Sequence, residues 1–193
     1  MYNVGMAIEK PKYKVMKKDG NIELREYESY ILASVTTSAE NYGRAGNQGF
    51  SPLAGYIFGD NKISKKMPMT APVMTTQETE FKKIPMTVPV ITQGMTTSKF
   101  KVSFVMPPDY KWSDLPTPNN SDVELHEVAK HKAVAISFSG ITRESTVESK
   151  ISALAEWAKA NNIKLVDKPM LARYDAPWKP GFLRHNEIII NCK

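Results

Sequence analysis

Ile22-Glu23-Leu24-Arg25-Glu26-Tyr27 returns 101 positions later, from 22 to 123, as Val123-Glu124-Leu125-His126-Glu127-Val128, and Tyr30 to Ala39 then matches His131 to Gly140 without a gap. Both copies run from strand-like into helix-like sequence. A supersecondary unit used twice, its copies closing a shared core, predicts a pseudo-twofold fold with repeats over about 12–106 and 122–193.

Working outward, Tyr13 to Met16 and Ile22 to Arg25 flank Asp19-Gly20-Asn21, a hairpin signal because Gly accepts positive φ. Ile31 to Thr37 reads as a third strand, rich in β-branched residues, and Val123 to Val128 and Ala133 to Phe138 are its region's counterparts in the second copy. The second helix has Val147, Ile151, Leu154 and Ala158 on one face. Thr142 or Ser145 would cap it, and Asn161-Asn162 would end it. The first helix carries Phe50, Leu53 and Ile57 before Gly59, with Gly43, Gly46 and Gly49 read as a flexible start and Pro52 limiting where an ideal helix begins.

Met67-Pro68-Met69-Thr70-Ala71-Pro72-Val73-Met74 is echoed by Ile84-Pro85-Met86-Thr87-Val88-Pro89-Val90-Ile91. Proline lacks a donor, so the prolines point to edge positions or bulges, and both segments are expected as irregular strands joined by a polar loop over Thr75 to Lys83. Lys99 to Val105 is a regular strand, and Pro107 to Ser121 is a surface connection between the halves.

Composition narrows the function classes. The 193 residues carry 26 Lys+Arg against 20 Asp+Glu, a balance of +6, with 41% hydrophobic and 24% charged residues. This is the profile of a soluble, single globular domain spanning 1–193. A lone Cys192 excludes a disulfide scaffold, an iron–sulfur cluster and a thiolate zinc site, and reads as a chain-end structural thiol. No apolar run reaches the roughly 18 residues of a membrane span. No targeting signal is legible, which favours the cytoplasm, with an exported mature form as the alternative. The cations are scattered among acids and not interleaved with aromatics, so no nucleic-acid partner is expected.

No catalytic signature is present: there is no nucleophile elbow, no His-Glu-x-x-His and no Walker loop. His126, His131 and His185 show no ligand spacing, and Glu23 and Glu26 face opposite sides of a strand. Methionine is the positive hint. Ten Met, with Met67, Met69, Met74 and Met86 in the twin Pro-Met-Thr segments, suit an adaptable apolar surface for a bulky flat ligand, or plain core filling. The tail Tyr174 to Glu187 sets aromatics beside Lys179 and Arg184, to pair with a ligand's carboxylates or, for the Arg, with Glu187.

With these residues in view, the chain resembles the SOUL/heme-binding protein family. The resemblance rests on Ile22 to Tyr27, Gly49-Phe50 through Leu53-x-x-Tyr56-Ile57-x-Gly59, Lys66-Met67-Pro68-Met69-Thr70-Ala71-Pro72-Val73, and Tyr174-Asp175-x-Pro177 through Arg184-x-Asn186-Glu187. It implies an α+β fold, a distorted antiparallel β-barrel of two βαββ-type repeats with two main helices. It also implies binding of haem or another tetrapyrrole by Phe50, Leu53, Ala54 and Ile57 of the first helix and by Trp178 to Arg184, notably Trp178, Lys179, Phe182 and Arg184. Met67 and Met69 join them from the methionine pattern. Glu26 stands where some members carry a His proposed as axial ligand, so binding would rest on apolar burial and propionate pairing. The expected function is a monomeric, non-enzymatic tetrapyrrole carrier or buffer with no metal ligand of its own. The alternative is a general effector-binding or protein-interaction module of the same fold, and a hydrolase using Glu26 and Glu127 ranks third.

Overall fold

The computed structural model describes residues 10–78, 98–175 and 179–193. The second Pro-Met segment, with Met86, and Trp178 lie outside them. In chain order the elements are β1 (Tyr13–Asp19), β2 (Ile22–Tyr27), β3 (Tyr30–Ala39), α1 (Tyr42–Ile57), β4 (Val73–Gln77), β5 (Ser98–Val105), β6 (Glu124–Val128), β7 (His131–Ser139), α2 (Glu144–Ala160), β8 (Met170–Arg173) and β9 (His185–Cys192). Short 3₁₀ turns occupy Trp112–Asp114 and Gly181–Leu183.

The nine strands form one antiparallel sheet in the order β1-β2-β7-β9-β8-β4-β5-β3-β6. Without β1 this order is a palindrome about the β8/β4 pair: β2 answers β6, β7 answers β3, and β9 answers β5. The registers agree as well. Ile22 lies opposite Ile136 and Tyr30 opposite Val128, pairings that coincide once the halves are displaced by the 22-to-123 offset.

The expected barrel does not close. Among the described residues β1 pairs only with β2 and β6 only with β3, which leaves two edges. At the 22-to-123 offset β1 corresponds to Asp114 to Asn120, which contain Pro116 and Pro118, residues that cannot donate to a ladder, and no strand forms there.

Strand alternation sorts the core. Ile31, Ala33, Val35, Val102 and Phe104 face α1, and Val134, Ile136, Leu171, Ile188 and Ile190 face α2, so both helices cover one side of the sheet. The other side carries Tyr27, Ala133, Ala135, Ala172 and Ile189 beside Leu32, Met74 and Val105, with Tyr30 packed against both groups.

Local chemistry corrects several expectations. The Asn41 side chain accepts the Arg44 N–H at 2.9 Å and starts α1 ahead of its glycines, and Pro52 lies inside the helix. Gly46 and Gly49 are not a flexible start. They are close approaches, because a Cβ would fall 1.5 Å from Arg173 Nη2 at Gly46 and 2.5 Å from Val102 Cβ at Gly49. Neither Thr142 nor Ser145 caps α2, whose N-cap is Arg143 with no side-chain bond; Glu144 in the first turn and Lys159 in the last match the helix dipole instead. The first Pro-Met-Thr segment is not an edge strand. Its donor-free prolines precede the ladder, and β4 starts directly after Pro72 between β5 and β8. Thr75–Gln77, expected in a loop, therefore belong to β4.

Candidate functional site

The residues expected to bind a ligand fall into two groups. Leu53, Ala54, Ile57 and Met67 are buried in the core under α1, where Met67 N–H donates to the Ile57 carbonyl at 2.7 Å, so they form a wall and not an open lining. Phe50 and Met69 are exposed; the Phe50 ring meets Phe104 edge-on at 5.4 Å. On the tail, Phe182 and Leu183 stand exposed in the 3₁₀ turn, and the Gly181 backbone lies against Ile141.

Between these groups lies a cation that the sequence reading did not single out. Arg173 ends β8 on the helix side of the sheet, opposite Val73 and Asn186, and its guanidinium rests on the α1 backbone at Gly46. Burial, and then the like charge of Arg184, push its pKa below the ordinary guanidinium range, and no carboxylate among the described residues pairs with it. The signal was available: strand alternation from Leu171 places Arg173 on the helix side, immediately before the Tyr174-Asp175 segment.

Its neighbours are more engaged. Lys179 Nζ pairs with Asp175 at 2.7 Å, and Asp175 also accepts the His185 N–H at 2.5 Å, two contacts that hold this carboxyl below its usual value, the backbone bond first. Arg184 Nε donates to the Lys179 carbonyl at 2.9 Å. A carboxylate placed near Arg173 would therefore meet two guanidiniums, one of them without an acidic partner.

Behind this surface, on the helix-free side, Glu187 is fully enclosed. Arg25 donates to both its oxygens, at 2.8 and 2.7 Å, Tyr174 Oη at 2.5 Å and Ser137 Oγ at 2.9 Å. Burial alone would raise the Glu187 carboxyl, but these donors and the Arg25 charge bring it down to about 2. Burial and the neighbouring carboxylate push the Tyr174 hydroxyl well above its usual range, so it remains a donor. The expected Arg184–Glu187 pairing is thus replaced by Arg25, itself covered by the Tyr13 ring at 4.3 Å.

Other candidates are placed elsewhere. A cavity of about 300 Å³ lies beside the β2–β3 turn, lined among others by Lys10, Tyr30, Val105, Tyr110, Trp112 and Glu127, and none of the expected ligand residues lines it. Glu26 is held by Lys130 at 2.9 Å, and Glu127 lies on β6 opposite Ile31. His131 stacks on Tyr27 at 5.3 Å, while burial, then Lys101, lowers the His126 pKa. Among the described residues no group of His, Cys, Asp or Glu has the geometry to hold a metal ion. No described helix is long and apolar enough to cross a membrane.

Comparison with known proteins fits this frame. The family model described as SOUL heme-binding protein matches residues 8–81 and 75–191. Heme-binding protein 2 of Homo sapiens is 27% identical over 188 residues, covering 94% of this chain and 85% of that one, and the Mus musculus protein is 26% identical with the same coverage. Among solved structures, the EcmrR C-terminal domain superposes with a TM-score of 0.63 at 14% identity, covering 94% of this chain and 98% of that one. A hydrolase from Listeria innocua superposes at 0.58 and 10% identity, over 92% and 94% of the two chains. These two likenesses show the fold.

Proposed function

The chain belongs to the SOUL heme-binding protein family, and on that premise we propose that it binds a haem or related tetrapyrrole without acting as an enzyme, as a monomeric carrier or buffer. The ligand lies across the surface between the first turns of α1 and the Gly181–Leu183 turn. The observation that carries the reading is that Arg173, half-buried and close enough to Arg184 to feel its charge, itself pairs with no carboxylate among the described residues. Burying a charge is costly unless it is paired, and two adjacent cations add repulsion. A propionate between them relieves both. Exposed Phe182 and Leu183 supply apolar contact for a flat ring, and the buried Leu53, Ala54 and Ile57 stiffen the helix behind it.

Glu26, engaged by Lys130, offers no histidine-like ligand, so affinity rests on apolar contact and ion pairing, with weak discrimination among metal-bearing and metal-free rings. The palindromic strand order supports one domain made of two βαββ-type repeats.

Titration with haem and with metal-free protoporphyrin, followed in the Soret band, should saturate at one site for both. Failure of either to saturate below the tens-of-micromolar range defeats the reading. Arg173→Gln should weaken binding roughly tenfold or more, as expected for losing a charge-assisted hydrogen bond, and more at low than at high salt. The dimethyl ester of protoporphyrin should bind as weakly to the parent protein as the diacid binds to the variant. A thermal-shift screen in which unrelated compounds stabilise the protein more than tetrapyrroles do would favour the effector-binding alternative.

A further inference from the structure

The turn after α1 has a surface chemistry that tetrapyrrole binding leaves unused. Phe58 is 57% exposed and Ile63 68%, and Met69 is also exposed. Between them stand exposed Lys62 and Lys66, neither paired with an acid among the described residues. The nearest acid in sequence, Asp60, is occupied by the Asn119 side-chain amide at 2.9 Å.

The turn is held in this presentation by its own base. Buried Asn61 donates to the carbonyls of Tyr56 at 3.1 Å and Lys65 at 2.7 Å and accepts the Lys65 N–H at 2.9 Å. Lys62 N–H bonds the Thr117 carbonyl at 3.0 Å, which clasps the turn to the connection carrying exposed Trp112. Lys65, in contrast, folds back, with Nζ donating to the Asp114 carbonyl at 3.0 Å and lying 4.5 Å from the centre of the Tyr110 ring. The apolar tips are therefore kept out of the core while a neighbouring lysine is drawn in.

Single exposed apolar side chains need no explanation, but a hydrogen-bonded turn that sets them among unpaired ammonium groups does. We propose that the Phe58–Met69 turn docks on the surface of an anionic lipid bilayer. Phe58 and Ile63 enter the headgroup region, and Lys62 and Lys66 meet the lipid phosphates. An anionic bilayer offers both chemistries that this turn carries, negative charge for the unpaired Lys62 and Lys66 and an apolar layer for Phe58 and Ile63. The unpaired lysines select anionic lipid, each contributing a factor of about five near such a surface. Because the turn is already ordered, docking carries little conformational cost.

Cosedimentation with vesicles of phosphatidylcholine plus phosphatidylglycerol, and of phosphatidylcholine alone, tests this at low and high salt. The parent protein should sediment with the anionic vesicles and fall off as salt rises. Lys62→Gln/Lys66→Gln should weaken the low-salt partitioning roughly 25-fold, and Ile63→Ser should weaken it at both salts. Equal sedimentation with the neutral vesicles, none with the anionic ones, or indifference to either variant overturns the proposal. Circular dichroism melting checks that the variants are folded, and their porphyrin titration without vesicles should match the parent, which separates this surface from the tetrapyrrole site.

Discussion

Replacing Arg25 by Met would strand a carboxylate in the interior. The two side chains are 2% and 4% exposed and joined by two short bonds, so solvent does little to screen them. The Glu187 carboxyl lies at about 2 against an ordinary 4.5, and that difference corresponds to about 3 kcal/mol of stability at neutral pH. This agrees with the ~3–5 kcal/mol cost of removing one partner of a buried ion pair. The sign follows from the depressed pKa. In the parent protein the contribution is complete above about pH 5 and is lost as pH falls toward 2. In Arg25→Met the buried carboxylate is short of donors, its pKa moves up, and stability should rise as pH falls from neutrality. Urea unfolding followed by circular dichroism at pH 7 and pH 4 measures both effects, and Arg25→Met/Glu187→Met should recover most of the loss, because it removes both charges. A single variant within about 1 kcal/mol of the parent at neutral pH, or one with the parent's pH slope, would refute the reasoning.

The two close glycines should behave differently. In Gly46→Ala the new methyl meets the movable end of Arg173, so stability should change by less than about 1 kcal/mol while porphyrin affinity drops, as seen by melting and Soret titration. In Gly49→Ala the methyl meets the Val102 Cβ in the core and should cost about 1–3 kcal/mol in urea unfolding. Thr75 is fully buried and its hydroxyl has no hydrogen-bond partner among the described residues, so Thr75→Val should leave the melting temperature unchanged or raise it.

The sheet was legible where short-range chemistry and periodicity act together. Gly20, at φ +56°, turns the β1–β2 hairpin as Asp19-Gly20 suggests, and Asn161-Asn162 ends α2, with Asn162 at φ +56°. What escaped depends on partners distant in sequence. For Glu187 the sequence offers nearby Arg184 as one possible partner, whereas the structure pairs it with Arg25, 162 residues away and brought alongside by the β2–β7–β9 pairing. The role of Gly46 and Gly49 likewise depends on what lies across from them, which a helix pattern does not contain. Phe50, Leu53, Ala54 and Ile57 were correctly placed on one helix, but helical spacing does not distinguish a ligand-facing stripe from a core-facing one. Arg173 was readable as a residue on β8, but its lack of an acidic partner was visible only in three dimensions.

The palindromic strand order has a consequence for how the chain reaches its native state. The two copies interleave: β2 of the first is zipped to β7 of the second, β6 of the second to β3 of the first, and β4 to β8 across the middle. Each half pairs three of its own strands, β4-β5-β3 in the first and β8-β9-β7 in the second, but a ribosome that has made only the first half holds β2 and the outer edges of β3 and β4 before their partners exist. The proline-rich connection from Pro107 to Ser121 is then a tether for late docking. Cutting it would yield two fragments whose open sheet edges only the other fragment can cover.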